Sequence, residues 1–261
     1  MKKAVFFDID GTLWDFHMQV PPSTVRAIQA LRDNGNYAFI CSGRSRAAIQ
    51  AKELLEDITF DGILAGCGTY IEYEGEVVYE RKLSKEELVT LLEVFGKYKT
   101  PVVLEGKQYL YADMGQFQDN AYITRLKELL GESFVPLPKE VDGYDANKMT
   151  VYFTQGDFED VKKTLSGKYE LLCHTPEVFE ILPGGFSKAK GIQWICDYLG
   201  IAHEDTYAFG DSVNDLEMLR YVEHGIAMGN ATKVAKEAAD YVTTDIWADG
   251  IQEGLKRFSL I

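Results

Sequence analysis

The chain opens with an apolar run that stops on two carboxylates: Val5 to Leu13 reads VFFDIDGTL. An apolar strand followed at once by Asp8, Asp10 and Gly11 places charge just outside its carboxyl end, the edge at which open α/β sheets bind ligands. Such a start predicts a fold in which strand ends carry the chemistry.

The next segments agree with that commitment. Pro22 to Arg32 has the apolar spacing of a helix, YAFICSG at 37 to 43 reads as a second strand entering a glycine turn, Ser45 to Leu55 as a helix, and FDGILAGCG at 60 to 68 as a third strand and turn. Strand, helix, strand, helix, strand is the syntax of a mainly parallel, doubly wound sheet. From Thr69 the rhythm changes. TYIEYEG and EVVYERKL predict a hairpin turned at Gly75, and SKEELVTLLEVFGK a helix capped by Ser84 with Glu87 three residues on. PVVLEG with KQYLYAD predicts another hairpin, residues 119 to 130 a helix, and KMTVYF and KYELLC two short strands. Strand pairs here outnumber parallel crossovers. We therefore expect a Rossmann-like α/β core split into residues 1–81 and 183–261, with an α+β domain at 82–182 inserted between them. Core syntax returns with a helix at Ala189 to Leu199, the strand DTYAFGDS at 205 to 212, the helix LEMLRYV, the strand GIAMGN, a helix from Lys233 to Ala239 and YVTT at 241 to 244.

Charge narrows the partners. Asp plus Glu outnumber Lys plus Arg by 41 to 27, a formal net charge of -14, so the surface repels nucleic acid and anionic membrane. A local basic pocket can still hold a small anion, and a cation would help it. Cys41, Cys67, Cys173 and Cys196 lack CxxC or finger spacing, which argues against a disulfide framework or structural zinc. No apolar segment reaches membrane length and no signal-like run precedes Asp8, so a soluble, cytoplasmic protein is expected.

Phosphoryl transfer needs an oxygen nucleophile, an acid or base near the leaving group, and positive charge around the transferring oxygens. Asp8 and Asp10 can supply the first two, since alternate strand residues share a side. Asp211 and Asp215 in FGDSVNDLEML form a second acidic pair, also at a strand end, and with Asp8 could make a hard oxygen site for magnesium. Ser42, ahead of Gly43 and Arg44, could donate to a phosphate; Lys188 or Lys190 in GGFSKAKGI could neutralise it. Each feature alone is equally served by a cap, a turn or a solvated side chain, and Arg44 by a surface salt bridge. CSGRSR is not a cysteine-phosphatase loop, because five residues after Cys41 the position is Ala47.

Taken together, these residues resemble the haloacid dehalogenase superfamily, specifically Cof-like phosphatases with a C2-type cap. DIDGT, Ser42 in ICSGR, Lys188 in FSKAKG and GDSVND match its four motifs across nearly the whole chain. The resemblance implies that Asp8 attacks phosphorus and Asp10 protonates the leaving group and later activates water. By the same resemblance Ser42 and Lys188 bind phosphate with help from Asn214, while Asp211, Asp215, Asp8 and the Asp10 backbone carbonyl hold Mg2+. Gly43 and Arg44 are further substrate-binding candidates. The chain departs from the family at Cys67, where Asn is common, and at Ala189, often Gly, which leaves substrate contacts of the Cys67 turn untransferred. Trp14, Phe16 and His17 enter the segment that in this superfamily lies under the cap, where they would shield the leaving group or simply pack; His17 has no metal-ligand pattern. Polar cap residues Asp113, Gln116, Lys139, Asp142, Tyr144 and Asn147 receive no role.

The implied function is Mg2+-dependent hydrolysis of a small phosphorylated metabolite, a sugar phosphate before others, through an aspartyl-phosphate. The rivals are a phosphomutase or phosphotransferase, which returns the phosphoryl group to a sugar, and a regulatory protein that binds phosphometabolites without turnover. Oligomeric state is not legible.

Overall fold

The computed structural model describes residues 2–49, 56, 58–117, 120–137, 144–153, 158–173 and 175–261. The described residues of Met1–Gly43, Gln50–Tyr79 and Ser187–Ile261 form one compact unit, and those of Arg44–Ile49 and Glu80–Phe186 a second.

The first unit is built on an eight-stranded sheet. Its strands run in the order β14 (Tyr241–Val242), β13 (His224–Ala227), β12 (Thr206–Gly210), β1 (Ala4–Phe7), β2 (Tyr37–Cys41), β3 (Gly62–Ala65), β4 (Tyr70–Tyr73) and β5 (Glu76–Glu80). Pairing is parallel from β14 to β3 and antiparallel between β3 and β4. The turn between β4 and β5 has Glu74 and Gly75 both at positive φ, the geometry that lets a two-residue loop follow the twist of a hairpin.

The central strand β1 is buried along its whole length, as expected for a parallel strand covered on both faces. Phe6 stacks on Phe39 and Phe7 on Phe209, each pair with ring centroids 5.2 Å apart. On the Phe6 side, Ile192 and Ile195 of α5 (Lys188–Leu199) and Met218 of α6 (Leu216–Tyr221) complete an apolar cluster. Helix α1 (Pro22–Asp33) begins on a proline, whose missing N–H costs nothing there, and buries Ala27, Ile28 and Leu31. Its Arg32 donates twice to Asp61, at 3.2 and 3.0 Å, fixing the helix to the entrance of β3.

The second unit carries a six-stranded mixed sheet, the inserted cap. Its order is β10 (Tyr169–Cys173), β11 (Val178–Pro183), β9 (Lys148–Tyr152), β6 (Val102–Glu105), β7 (Leu110–Ala112) and β8 (Phe134–Pro136), parallel only between β7 and β8. One face packs Leu104, Met149, Val151 and Ile181 against Leu91 and Phe95 of α2 (Lys85–Lys97) and Val161 of α4 (Phe158–Leu165). The alternate residues Val103, Leu110 and Ala112 meet Ile123 and Leu126 of α3 (Ala121–Leu130), and Ala48 joins this cluster. The Ser84 and Glu87 capping box starts α2, as its sequence predicts.

The architecture is the expected one: a mostly parallel α/β core with a separate cap sheet. Local expectations differ at several places. Ser45 begins a 3-10 turn over Arg46–Ala48, and Ile49 is extended, so the helix expected from Ser45 is not continuous there. Its remainder at 50–55 lies outside the described residues, as do residue 119 of the helix expected at 119–130 and the cap positions Lys139 and Asp142. Helix α7 (Lys233–Ala238) forms where it is expected, whereas strands β8 and β11 and helices α4 and α8 (Gly250–Arg257) have no counterpart in the sequence reading.

Candidate active site

The site is assembled by strand register. Because β1 lies between β12 and β2, with Phe7 level with Phe209 and Ile40, the residues following these three strands emerge on one edge. Asp8, Ser42 and Asp211 are therefore delivered to the same sheet edge, although Asp8 and Asp211 lie 203 residues apart in sequence. The Asp8 amide still donates to the Phe209 carbonyl at 3.0 Å, so the carboxylate leaves the sheet from a fixed backbone.

Lys188 starts α5, and its position depends on close backbone packing. The backbones of Gly68 and Gly191 approach so closely that a Cβ on either would come within 2.9 Å of the other's Cα. That contact brings the first turn of α5 against the loop after β3. Lys188 itself is 2 % exposed, and its Nζ donates to Asp8 Oδ1 at 2.6 Å and to Asp215 Oδ1 at 2.5 Å. Lys190, the alternative lysine, is exposed and donates to Gln193 at 3.1 Å. Asp215 is wholly buried; its other oxygen accepts the Asp211 and Ser212 amides at 2.9 and 3.0 Å. Thr12 Oγ1 donates to Asp211 Oδ1 at 3.4 Å, and Gly11, at φ +80°, lets the turn pass so close that a Cβ there would lie 2.5 Å from Asp211 Oδ2.

Asp8, Asp211 and Asp215 each offer a carboxylate oxygen within 4.8 Å of the others. Burial, reinforced by Asp215, pushes the Asp8 carboxyl well above the ordinary carboxylate range, although Lys188 pulls the other way. Burial and then Asp215 likewise raise Asp211, to about 7. Lys188 resists its own desolvation because Asp215 and Asp8 flank it, and its pKa is raised. Among the described residues the three carboxylates crowd around the Lys188 ammonium, and the crowding and burial favour bound protons on Asp8 and Asp211, for which a cation would compete. Hard oxygen donors clustered in this way fit a divalent cation such as Mg2+.

The other expected residues fall as follows. Ser42 is buried, its amide donating to Leu64 and its carbonyl accepting from Cys67. Gly43 is buried beside it, whereas Arg44 belongs to the second unit, where its guanidinium donates to the Ala48 carbonyl at 3.1 Å. Asn214 accepts from the Ser212 hydroxyl within the Asp211 loop. Asp10 stands apart from the three clustered carboxylates; it is exposed, and its Oδ1 accepts the Trp14 indole N–H at 3.0 Å. Phe16 is 84 % exposed against His17, while Trp14 is fully buried. Among the cap candidates, Asp113 caps a 3-10 turn with help from Gln116, Tyr144 packs on Tyr111, and buried Asn147 donates to Arg81. Cys41 is buried, which pushes its thiol pKa up and bars it from acting as a nucleophile.

Sequence reasoning assigns no role to Asn230, whose side chain donates to the Gly11 carbonyl at 2.7 Å and accepts the Ile246 amide at 3.1 Å. The available signal is its place: GIAMGN ends a core strand on the same sheet edge as Asp8 and Asp211.

Comparison with known proteins agrees with this geometry. The sequence profile of the haloacid dehalogenase-like hydrolases matches residues 5–255. The chain is 32% identical to YkrA of Bacillus subtilis (strain 168) over 99% of its own length and 98% of that protein. It is 28% identical to YitU of the same organism, a 5-amino-6-(5-phospho-D-ribitylamino)uracil phosphatase, over 97% of this chain and 96% of that one. Among solved structures, a subclass IIB sugar phosphatase of the superfamily is 32% identical, with a TM-score of 0.83 and full coverage of both chains.

The chain belongs to the haloacid dehalogenase-like hydrolases. It is an enzyme of the Cof-like phosphatase branch, with the Mg2+-dependent, aspartyl-phosphate type of chemistry that the family uses. Among the described residues, no helix is long and apolar enough to cross a membrane.

Proposed function

We propose that the protein hydrolyses small phosphorylated metabolites whose phosphate sits on a polyhydroxylated chain, with sugar phosphates first among them. The observation that carries the assignment of roles is the Lys188 ammonium held between Asp8 and Asp215 with Asp211 beside them. One carboxylate of this group can accept a phosphoryl group while the ammonium screens its charge.

In this reading Asp8 is the nucleophile. Its carboxylate oxygen bonds to phosphorus as the bond to the leaving oxygen breaks, and Asp10 delivers a proton to that oxygen. Asp10 then takes a proton from the water that cleaves the acyl phosphate, regenerating Asp8. Lys188 and Ser42 donate to the phosphoryl oxygens, and Asn214 orders the loop beside them. Asp8, Asp211, Asp215 and the Asp10 backbone carbonyl would hold Mg2+, which when bound supplies positive charge against the phosphoryl oxygens and the crowded carboxylates. Gly43 and Arg44 remain candidates for substrate contact, and residues 82–182 are proposed as the cap domain that selects the leaving group.

Two relatives support the polyhydroxylated substrate: the sugar phosphatase, and YitU, whose named substrate carries its phosphate on a ribityl chain. The net charge of -14 supports a small anion recognised locally over nucleic acid or an anionic membrane. The test is inorganic phosphate release from a panel of phosphorylated metabolites with Mg2+, alongside Asp8→Asn. Release lost in the variant supports the assignment, and retained release overturns it. Transfer to an added sugar in place of release would make the protein a mutase or transferase, and saturable binding without turnover a regulatory module.

A further inference from the structure

Glycine is the least restrained residue of a chain, so a glycine beside a ligand site needs its flanking peptides held by other groups. Gly11, with φ at +80°, is such a residue. Its amide lies in the same peptide plane as the Asp10 carbonyl and donates to the Trp14 carbonyl at 2.9 Å. Its own carbonyl accepts from Asn230 Nδ2 at 2.7 Å. Both peptides around Gly11 are thereby fixed, one from within the turn and one from a residue 219 positions further along the chain.

Asn230 is itself anchored. Its Oδ1 accepts the Ile246 amide at 3.1 Å, and the neighbouring Gly229 amide donates to the Thr244 carbonyl at 2.9 Å. Gly229 packs so near that stretch that a Cβ on it would lie 2.4 Å from the Asp245 nitrogen. The two partners of the Asn230 amide have opposite polarity, a carbonyl and an N–H, and a side-chain amide satisfies both at once. Two residues on, the Thr232 amide donates to the Asp211 carbonyl at 2.8 Å, and before it the Met228 amide donates to Gly210 at 3.0 Å. The segment after β13 therefore grips the turn after β1 with a side chain and the loop after β12 with its main chain.

We infer that Asn230 is a positioning residue for the divalent-cation site, setting the spacing between the Asp10–Gly11 turn and the Asp211 loop. The inference rests on the metal ligands proposed above, the Asp10 carbonyl and Asp211 among them. Mg2+ takes its oxygens only in near-ideal octahedral geometry, so a turn free to shift lowers affinity even when every ligand is retained. A direct tie between turn and loop, Thr12 Oγ1 to Asp211 Oδ1, is long at 3.4 Å, which leaves the spacing to the shared clamp. Asn230 is exposed, so trimming it opens no cavity and the substitution reports its two hydrogen bonds.

The test titrates the full-length protein, stripped of metal with EDTA and dialysed, with Mg2+ in a calorimeter. Wild type is compared with Asn230→Ala, Asp211→Asn and Thr243→Val, the last removing a buried hydroxyl of the same unit that donates to the Gly250 carbonyl at 2.7 Å. Residues that orient the ligands of a metal site carry about 10- to 100-fold of its affinity, so Asn230→Ala is expected to weaken Mg2+ roughly tenfold. Thr243→Val is expected to lower Tm with Mg2+ affinity unchanged. An Asn230→Ala affinity within about threefold of wild type overturns the inference. So does an equal loss in Thr243→Val, which would make the effect a general loosening of the unit. Asp211→Asn binding Mg2+ as tightly as wild type would instead defeat the proposed metal site. If Asn230→Ala does not fold, hydrogen exchange of the wild type decides. Coupling is reciprocal, so Mg2+ must tighten the clamp that favours it, and the Ile246 amide is expected to exchange more slowly with saturating Mg2+ than in EDTA. An Ile246 exchange rate that bound Mg2+ leaves unchanged overturns the inference.

Discussion

Each unit of the molecule buries a lysine between two carboxylates, and the two clusters are built in opposite ways. In the cap sheet, Lys148 Nζ lies 2.7 Å from Glu180 and 3.7 Å from Glu105, and the Thr150 hydroxyl donates to Glu105. Glu105 is the cross-strand partner of Lys148, and Glu180 that of Thr150, so ordinary strand pairing delivers all four side chains to one face. In the core, Lys188 at the start of α5 meets Asp8 after β1 and Asp215 in the turn before α6, with Asp211 as a third carboxylate. Among the described contacts, the cap cluster pairs the Lys148 ammonium with two carboxylates supported by a hydroxyl. The core cluster sets one ammonium against three, and burial raises the proton affinity of Asp8 and Asp211. The first arrangement suits a stable sheet; the second leaves crowded carboxylates for a cation and a phosphoryl group to complete.

The sharpest way to break this comparison is to remove each lysine in turn. Lys188→Met should cut kcat/KM for phosphate release by about 1,000-fold, since a buried donor aimed at the transferring oxygens is lost. A loss below tenfold at saturating Mg2+ would remove Lys188 from the chemistry. Lys148→Met should instead appear in urea unfolding. Two carboxylates left buried without their ammonium cost about 3 kcal/mol, and a change under 1 kcal/mol would mean the cap cluster is not structural.

The same contrast explains what the sequence made legible. Three of the four core motifs sit at strand ends, where apolar runs stop on Asp, Ser or Gly, and the fourth opens helix α5 behind a glycine pair; both patterns are visible without coordinates. Strand β11 was not: its alternation is interrupted by Glu180, which reads as a surface residue until Lys148 is placed beside it. Helix α8 was hidden by Gly250 and Gly254, yet a Cβ on Gly254 would come within 2.5 Å of the Phe209 ring, so the helix needs a residue that lowers its own propensity. The contacts of Asn230 depend on which loops the sheet brings together, and no local spacing encodes that.

A smaller effect is expected from the glycine that lets the core cluster close. Gly11→Ala forces a Cβ to within 2.5 Å of Asp211 Oδ2 at a φ of +80°. The conformational penalty alone is about 1–2 kcal/mol, and moving Asp211 should weaken Mg2+ binding in a calorimetric titration. Unchanged Mg2+ affinity would detach the turn from the metal site.

The smallest effect, and the one that tests the charge argument most directly, is the pH dependence of the metal-free protein. Asp211 is raised from 3.8 in the unfolded chain to about 7 in the fold, so between those values the folded state binds more protons than the unfolded one. Stability contributed by this group is therefore full below about pH 4, is lost as pH rises, and is gone above about 7. Carboxylates held low elsewhere, such as Asp15, run the opposite way, so the contrast to measure is wild type against Asp211→Asn. In EDTA, the Tm of wild type should fall relative to the variant between pH 5 and pH 7.5, by a few degrees at most. Mg2+ competes with protons for the same oxygens, so its stabilisation of wild type should grow across that window and be much reduced in the variant. A Tm difference that stays flat with pH would mean that the core carboxylates are already compensated, and the contrast between the two buried clusters would then rest on geometry alone.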